Sequence, residues 1–454
     1  MATTVINIST TILSNARAVI SFDVNDEGDT LTPAPPREFE CSLAEPSIQA
    51  FLNMESDPKK DTQIVIDAGT KLYSSLNRHE NANPALFRTL NASVSSATRK
   101  ISFHIKRGIT VEAHNLPWEA LHHPGGFFAL DGRVPVVRVI AEKNRRPKHM
   151  RDLSGMHLKI LAVIAAKNTP GLPEWRALKK SLSEWKRPIT VKVFVYEEAL
   201  LKEIEGGQDP RIQAEFVPGQ FAELSAKIAN FQPHICHFFC HGHADNGGYL
   251  ELANRVTLHG GDPLSVRTGM LFKPLESAWL VILNACSGAQ GDLASNSTSI
   301  ANALVQQGIP VVVGMREQIP VSVVADFTHA FLSGSLQYLA KTLRQGEALP
   351  VDFSQALVDG RDAICACFGS PVTMGKRTKE WTLPVMYVSA AELWVTATAD
   401  DRVATSEEFT RLAAERATFR EAQRVLGDRI APDDQIKIEK RIAEIAAAMG
   451  EAKV

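Results

Sequence analysis

The sequence predicts an α/β protein whose mostly parallel sheet is covered by helices on both faces, and three observations lead there. Leu158–Ala165 is a continuous apolar run of strand length, the kind that is buried on both sides. From that run onward, strand-like and helix-like segments alternate. Two of the strand candidates, His234–Cys240 and Trp279–Asn284, are separated by enough chain for the crossover that parallel neighbours require.

Bulk properties bound the rest. A chain of 454 residues exceeds one ordinary core, so two or three domains are expected. Hydrophobic residues make up 44% and charged residues 22%, an ordinary globular balance. The net charge of −2 gives no general attraction to nucleic acid or to an anionic membrane, and neither is an expected partner. Met1–Asn15 lacks a basic residue and alternates apolar residues with Thr, Asn and Ser, as a strand does and a secretory signal does not. No stretch approaches the ~20 apolar residues of a membrane helix. Cysteines at 41, 236, 240, 286, 365 and 367 are too few for a disulfide framework, so a cytoplasmic setting and a free thiol at Cys286 are expected.

In chain order, Lys100–Ile105 and Thr110–Ala113 read as strands ahead of the block Leu116-Pro117-Trp118-Glu119-Ala120-Leu121. Glu142–Arg151, charged and interrupted by Pro147, reads as a linker, and domains are expected at 1–148, 149–398 and 399–454. Trp175–Trp185 has helical spacing through Leu178 and Leu182, and Val191–Tyr196 alternates as a strand. Phe221–Ala229 and Ser297–Gln307 read as helices, and Pro310–Gly314 as a further apolar strand. Near the end, Thr405 and Glu408 form a capping box ahead of Leu412, Phe419, Ala422 and Leu426. Ile438, Ile442, Ile445 and Met449 form a second stripe, which completes a C-terminal helical hairpin. Through 405–449 that hairpin is expected to meet a regulatory partner or a second copy, or to dock on its own domain.

In open parallel sheets reactive groups gather beyond the carboxyl ends of the strands. Two strands here end in such groups, Phe239-Cys240-His241-Gly242 and Asn284-Ala285-Cys286. Were they neighbours, ~4.8 Å apart, thiol and imidazole would emerge on one rim. That pair is the minimal equipment for acyl transfer, because the imidazole takes the proton that makes sulfur a nucleophile. Gly242, Ala285, Ser287 and Gly288 keep the surroundings small, and the backbone amides of Gly242 and Cys286 are candidates for an oxyanion hole. Cys236, Cys240, His241 and His243 also cluster as metal ligands might. Strand alternation puts the two cysteines on one face and His237 with His241 on the other, so neither a zinc site nor any other cofactor is expected. No Gly-x4-Gly-Lys-Ser/Thr loop is present, since Gly369–Lys376 ends in Arg377.

The segments His237-Phe238-Phe239-Cys240-His241-Gly242 and Leu280-Val281-Ile282-Leu283-Asn284-Ala285-Cys286-Ser287 resemble the two signature blocks of the CHAT domain, a bacterial relative of caspases and separase. The Leu116–Leu121 block with Pro135-Val136-Val137-Arg138 looks like the family's upstream half. Val311–Met315 with Asp326-Phe327 looks like the block that follows the cysteine, so the resemblance spans about residues 100–390. It implies a caspase-like sheet preceded by a degenerate half of similar build, and His241 and Cys286 as a catalytic dyad. It also implies a protein substrate, commonly in bacterial defence or regulated death. Many arginine-specific relatives carry an acid two positions before the cysteine, where this chain has Asn284. Asp245, Asp292 or Glu317 would then supply negative charge to an S1 pocket favouring Lys or Arg. Met315, followed by Arg316 and Glu317 where a tryptophan is frequent, would stand on the pocket wall. The expected activity is that of a cysteine endopeptidase. The alternatives are a catalytically silent interaction module and a small-molecule amidohydrolase.

Overall fold

The computed structural model of the chain describes residues 2–12, 18–26, 37–39, 43–54, 61–77, 99–105, 114–140, 148–153, 157–185, 187–245, 248–286, 288, 290, 299–343, 348–368 and 378–396, with scattered helical residues between 415 and 442. The first part of the chain holds β1 (Ala2–Ile12), β2 (Ala18–Asp26), β3 (Arg37–Phe39), α1 (Pro46–Leu52), α2 (Asp61–Asn77), β4 (Arg99–Ile105), the small hairpin β5 (His122–His123) and β6 (Gly126–Phe127), β7 (Val136–Ile140) and β8 (Lys148–Asp152). Then come β9 (Leu158–Ile164), α3 (Leu172–Glu184), β10 (Ile189–Val195), α4 (Glu198–Gly206), β11 (Ile212–Phe216), α5 (Phe221–Phe231) and β12 (Ile235–Phe239). The crossover holds β13 (His241–His243), β14 (Tyr249–Leu252), β15 (Leu264–Arg267) and α6 (Thr268–Leu271). The last part comprises β16 (Leu280–Asn284), α7 (Ile300–Gln307), β17 (Val311–Met315), α8 (Val321–Leu343), β18 (Leu349–Pro350), α9 (Ser354–Cys367), β19 (Pro384–Ser389) and β20 (Glu392–Thr396).

One large sheet organises these elements in the order β11-β10-β9-β12-β16-β17-β19-β7-β4, and β1, β2 and β3 continue it beyond β4. The six strands from β11 to β17 are mutually parallel. β19 runs antiparallel to β17 but parallel to β7, and β7, β4 and β1 are again parallel. From β11 to β1 the sheet is thus two parallel blocks of opposite sense, joined at the β17–β19 seam, and β2 and β3 extend it with antiparallel pairs.

Local sequence explains the pieces. β12, β16 and β17 are buried at every position, as strands covered on both faces must be. Pro173 sits at the start of α3, where its missing N–H costs nothing, and Trp175, Leu178 and Leu182 form the buried side of that helix. Ser299 caps α7 by accepting from the Asn302 N–H at 3.2 Å, and Gly308, at φ +120°, ends it. Among the described residues no helix is long and apolar enough to cross a membrane.

The strand and helix alternation after Leu158 matches the sequence reading to within a few residues at each end. The linker reading fails for Lys148–Asp152, which is strand β8, paired parallel with β20 in a small sheet beside β18. Its alternation hides His149 and leaves Lys148 outside, over the Trp394 ring at 3.6 Å, so charge on one face of a strand imitates a solvated linker. The strand expected at Thr110–Ala113 lies outside the described residues. So does most of the C-terminal hairpin, Leu412 and Leu426 included. Its described parts are helical residues at 415, 418–419, 434–435 and 437–442, with Arg441 Nε 2.9 Å from Glu415 Oε1.

Candidate active site

β12 and β16 are parallel neighbours with Phe239 opposite Asn284. His241 and Cys286 each lie two residues beyond that pair, so both leave the sheet on the same rim. They line one cleft at the carboxyl ends of β9, β12, β16 and β17 and the start of α8, which encloses about 450 Å³ including its open mouth. Parallel strands followed by short loops concentrate backbone and side-chain groups there.

Two backbone features fix the imidazole. The chain turns after Cys240 into β13, where His241 is opposite Glu251 and Gly242 opposite Leu250. The His241 Nε2 lies 2.7 Å from the Lys167 carbonyl oxygen. A carbonyl only accepts, so Nε2 carries the hydrogen, and in the neutral ring Nδ1 is left bare as a base. Gly242 is required by contact: a Cβ there would overlap the Cys286 carbonyl oxygen and sit 3.0 Å from Ala285 Cβ. The histidine and cysteine segments therefore touch backbone to backbone.

Cys286 is half-buried, and burial pushes its thiol above the ordinary range, partly offset by a hydrogen bond from its own N–H. At neutral pH the sulfur holds its proton, and attack requires a base beside it. Cys240 also lines the cleft but is buried, and burial first, then the neighbouring Cys286 and Glu251, drive its thiol far higher, so it is inert. Cys236 is raised by burial in the same way.

Beneath the rim lies a buried polar node. Glu174 Oε1, on α3, accepts from Asn284 Nδ2 at 2.8 Å and from the Thr328 hydroxyl at 2.6 Å, and His237 Nε2 stands 2.7 Å away. Asn284 Nδ2 also reaches Thr328 Oγ1 at 2.6 Å. One carboxylate oxygen thus holds side chains of β16 and α8, and it stands against His237 of β12, the strand that leads to His241.

The other sequence candidates fall in different places. Met315 and Glu317 line the cleft, and so does Asn284, although its carboxamide is occupied by the Glu174 node. Glu317 Oε2 is paired with Lys379 Nζ at 2.6 Å. Asp245 is exposed and lies away from the cleft lining, where its charge raises the Tyr249 hydroxyl after burial does. Asp292 lies outside the described residues. Among the described residues no group of three or more His, Cys, Asp and Glu is placed to hold a metal ion. Sequence reasoning did not find Lys167, Glu174, Thr328 or Lys379. Lys167 carried a usable signal, since it lies just past the strand that turned out to neighbour β12. Glu174 and Thr328 carried none, because a Glu in the first turn of a helix reads as solvent-facing.

The sequence profile of the CHAT domain matches residues 85–389. Among solved structures, the chain is similar to one in the Saccharomyces cerevisiae separase–securin complex, with TM-score 0.44 and 10% identity, covering 87% of this chain. It spans only 30% of that chain's length. It is also similar to the Arg-specific cysteine proteinase gingipain R, with TM-score 0.39 and 9% identity, covering 73% of this chain and 74% of that one. A search of curated proteins finds no match.

Proposed function

The chain belongs to the CHAT domain family, and on that premise we propose that it is a cysteine endopeptidase acting on a protein substrate through His241 and Cys286. The observation that carries the reading is the Nε2–H bond to the Lys167 carbonyl, which leaves Nδ1 as the base in the cleft that Cys286 shares.

In this reading His241 Nδ1 takes the Cys286 thiol proton and the thiolate adds to the scissile carbonyl carbon. The tetrahedral oxyanion accepts hydrogen bonds from the Gly242 and Cys286 amides. As it collapses, the imidazolium gives its proton to the departing amine, leaving a thioester on Cys286. His241 then deprotonates a water, which attacks the thioester and releases the acid product, and the sulfur regains its proton. The Lys167 carbonyl steadies the imidazolium between the two half-reactions. These steps use no metal or organic cofactor.

A cytoplasmic setting, a role in bacterial defence or regulated death, and a regulatory partner or second copy bound through 405–449 belong to the same reading, as does the division at 1–148, 149–398 and 399–454. Purified full-length protein should cleave a susceptible substrate and lose at least roughly 1000-fold in kcat/KM as Cys286→Ala, without losing its fold. Equal cleavage by that variant would refute the dyad. No cleavage, together with no preferential alkylation of Cys286 over the other cysteines, would leave a silent interaction module. Deletion beyond Asp400 that changed neither activity nor oligomeric state would remove the role given to 405–449.

A further inference from the structure

Resting on the endopeptidase reading, we propose that the cleft beside Cys286 receives an apolar side chain at the residue whose carbonyl is attacked (P1), and not the Lys or Arg that the acidic candidates in the sequence suggest. Much of its lining is hydrocarbon and sulfur, with Thr169 and Gln318 as neutral polar members. Met315, Ile319, Val321 and Val324 come from the end of β17 and the start of α8, and Phe239 and Ala285 from the ends of β12 and β16. A concave apolar surface next to a nucleophile gains affinity by taking apolar area out of water.

Charge in the cleft points the same way. Among the described lining residues Glu317 is the only carboxylate, and it is already committed. Its partner, Lys379, is 1% exposed, and apart from Glu317 the Lys379 ammonium has the Leu52 and Met54 carbonyl oxygens at 3.4 and 3.3 Å and the Phe51 ring at 5.2 Å. Turning Glu317 toward a substrate cation would leave that ammonium buried without a counter-charge, which is costlier than leaving the pair intact. The cleft also faces the start of α8, a 23-residue helix whose first turn carries partial positive charge and repels a cation. No Lys or Arg stands among the described lining residues to receive an anion.

The test uses the full chain and three peptidyl chloromethyl ketones that are identical except for Leu, Arg or Asp at P1. The Cys286 thiolate displaces chloride and forms a thioether, and mass spectrometry reads the labelling rate at Cys286. The Leu probe is expected to label at least roughly tenfold faster than either charged one. Val321→Asp, placed at a helix start that tolerates an acid, should lower the Leu-to-Arg ratio by at least roughly threefold. Faster labelling by the Arg or Asp probe in the wild type, or a ratio that Val321→Asp leaves unmoved, overturns the proposal. If iodoacetamide alkylates Cys286 selectively while none of the three probes labels it, the P1 assignment fails and the reactive thiol stands. If Cys286 resists iodoacetamide as well, the endopeptidase reading fails and takes this one with it.

Discussion

The two parallel blocks of the sheet each bury a carboxylate, and the company each keeps differs. In the β11–β17 block, Glu174 is met by an amide, a hydroxyl and an imidazole. In the β19–β7–β4 block, Glu119 is met by full cations. Arg138 Nη2 lies 2.7 Å from Glu119 Oε2 and 2.9 Å from Oε1, with both side chains wholly buried, and Arg316 Nη1 lies 3.8 Å from Oε2. Arg138 also donates to the His114 and Leu116 carbonyls and reaches the Tyr387 hydroxyl. Burial alone would lower its pKa, but Glu119 and Tyr387 outweigh it and the pKa rises. Arg361, also fully buried, is lowered to about 10 by burial, and Glu119 only partly offsets this. The second block is sealed by formal charge, whereas the first holds its strand ends with largely neutral donors. If His241 and Cys286 exchange a proton as proposed, the first block's arrangement suits that step, because the donors gathered on Glu174 beneath the rim are largely neutral and add no fixed cation there.

That contrast can be broken at its strong end first. Arg138→Met leaves Glu119 charged and buried without its bidentate partner, with the less well-placed Arg316 at 3.8 Å, and should cost about 3–5 kcal/mol in denaturant unfolding. A variant as stable as the wild type would show that the seal is not ionic. Glu174→Leu removes the common acceptor of Asn284 and Thr328 and should cost about 2–3 kcal/mol, with slowed alkylation of Cys286. Glu174→Gln, which keeps an oxygen in place, should recover most of both losses. Recovery of stability without recovery of alkylation would mean that the node supports the fold but does not position the cysteine.

Acid treats the blocks alike, which sharpens what is special about each. His114, beside Arg138, and His234, stacked on Trp279 at the start of β12, are both held to about 3, chiefly by burial. Both are neutral when folded and titrate near 6.5 when unfolded, so the unfolded chain takes up protons first as pH falls. Stability from each is full above pH 6.5 and is lost toward pH 3, by up to about 1.4 kcal/mol per pH unit. A melting temperature flat between pH 6.5 and 4 would contradict that. The smallest stability change belongs to Gly242→Ala, about 1–3 kcal/mol, since the new methyl pushes on the Cys286 backbone. Its effect on catalysis should be larger, roughly tenfold or more, because it shifts the sulfur relative to the imidazole. Unchanged activity would mean that the two segments slide without consequence.

How far the sequence carried follows from the same chemistry. Strand ends that terminate in His241 and Cys286 were legible because a fully apolar run announces a buried strand and the residue after it announces the rim. Glu119 and Arg138 were visible only as members of blocks that resemble the family's upstream half, since a charged residue in isolation reads as surface. The long helix Val321–Leu343 escaped notice because it is buried around much of its circumference, which blurs the amphipathic stripe. The β13–β15 sheet inside the crossover is made of strands of three or four residues, too short for alternation to register.

The placement of β19 has a consequence for biosynthesis. Residues 384–389 fill the gap between strands made at 311–315 and at 136–140. While the ribosome is still translating the intervening segment, both of those strands present a bare edge to the crowded cell. The newborn polypeptide thus passes through a sticky interval that ends only when a late hexapeptide slots in, and a premature stop anywhere between codons 316 and 383 should yield insoluble product whatever else it leaves intact.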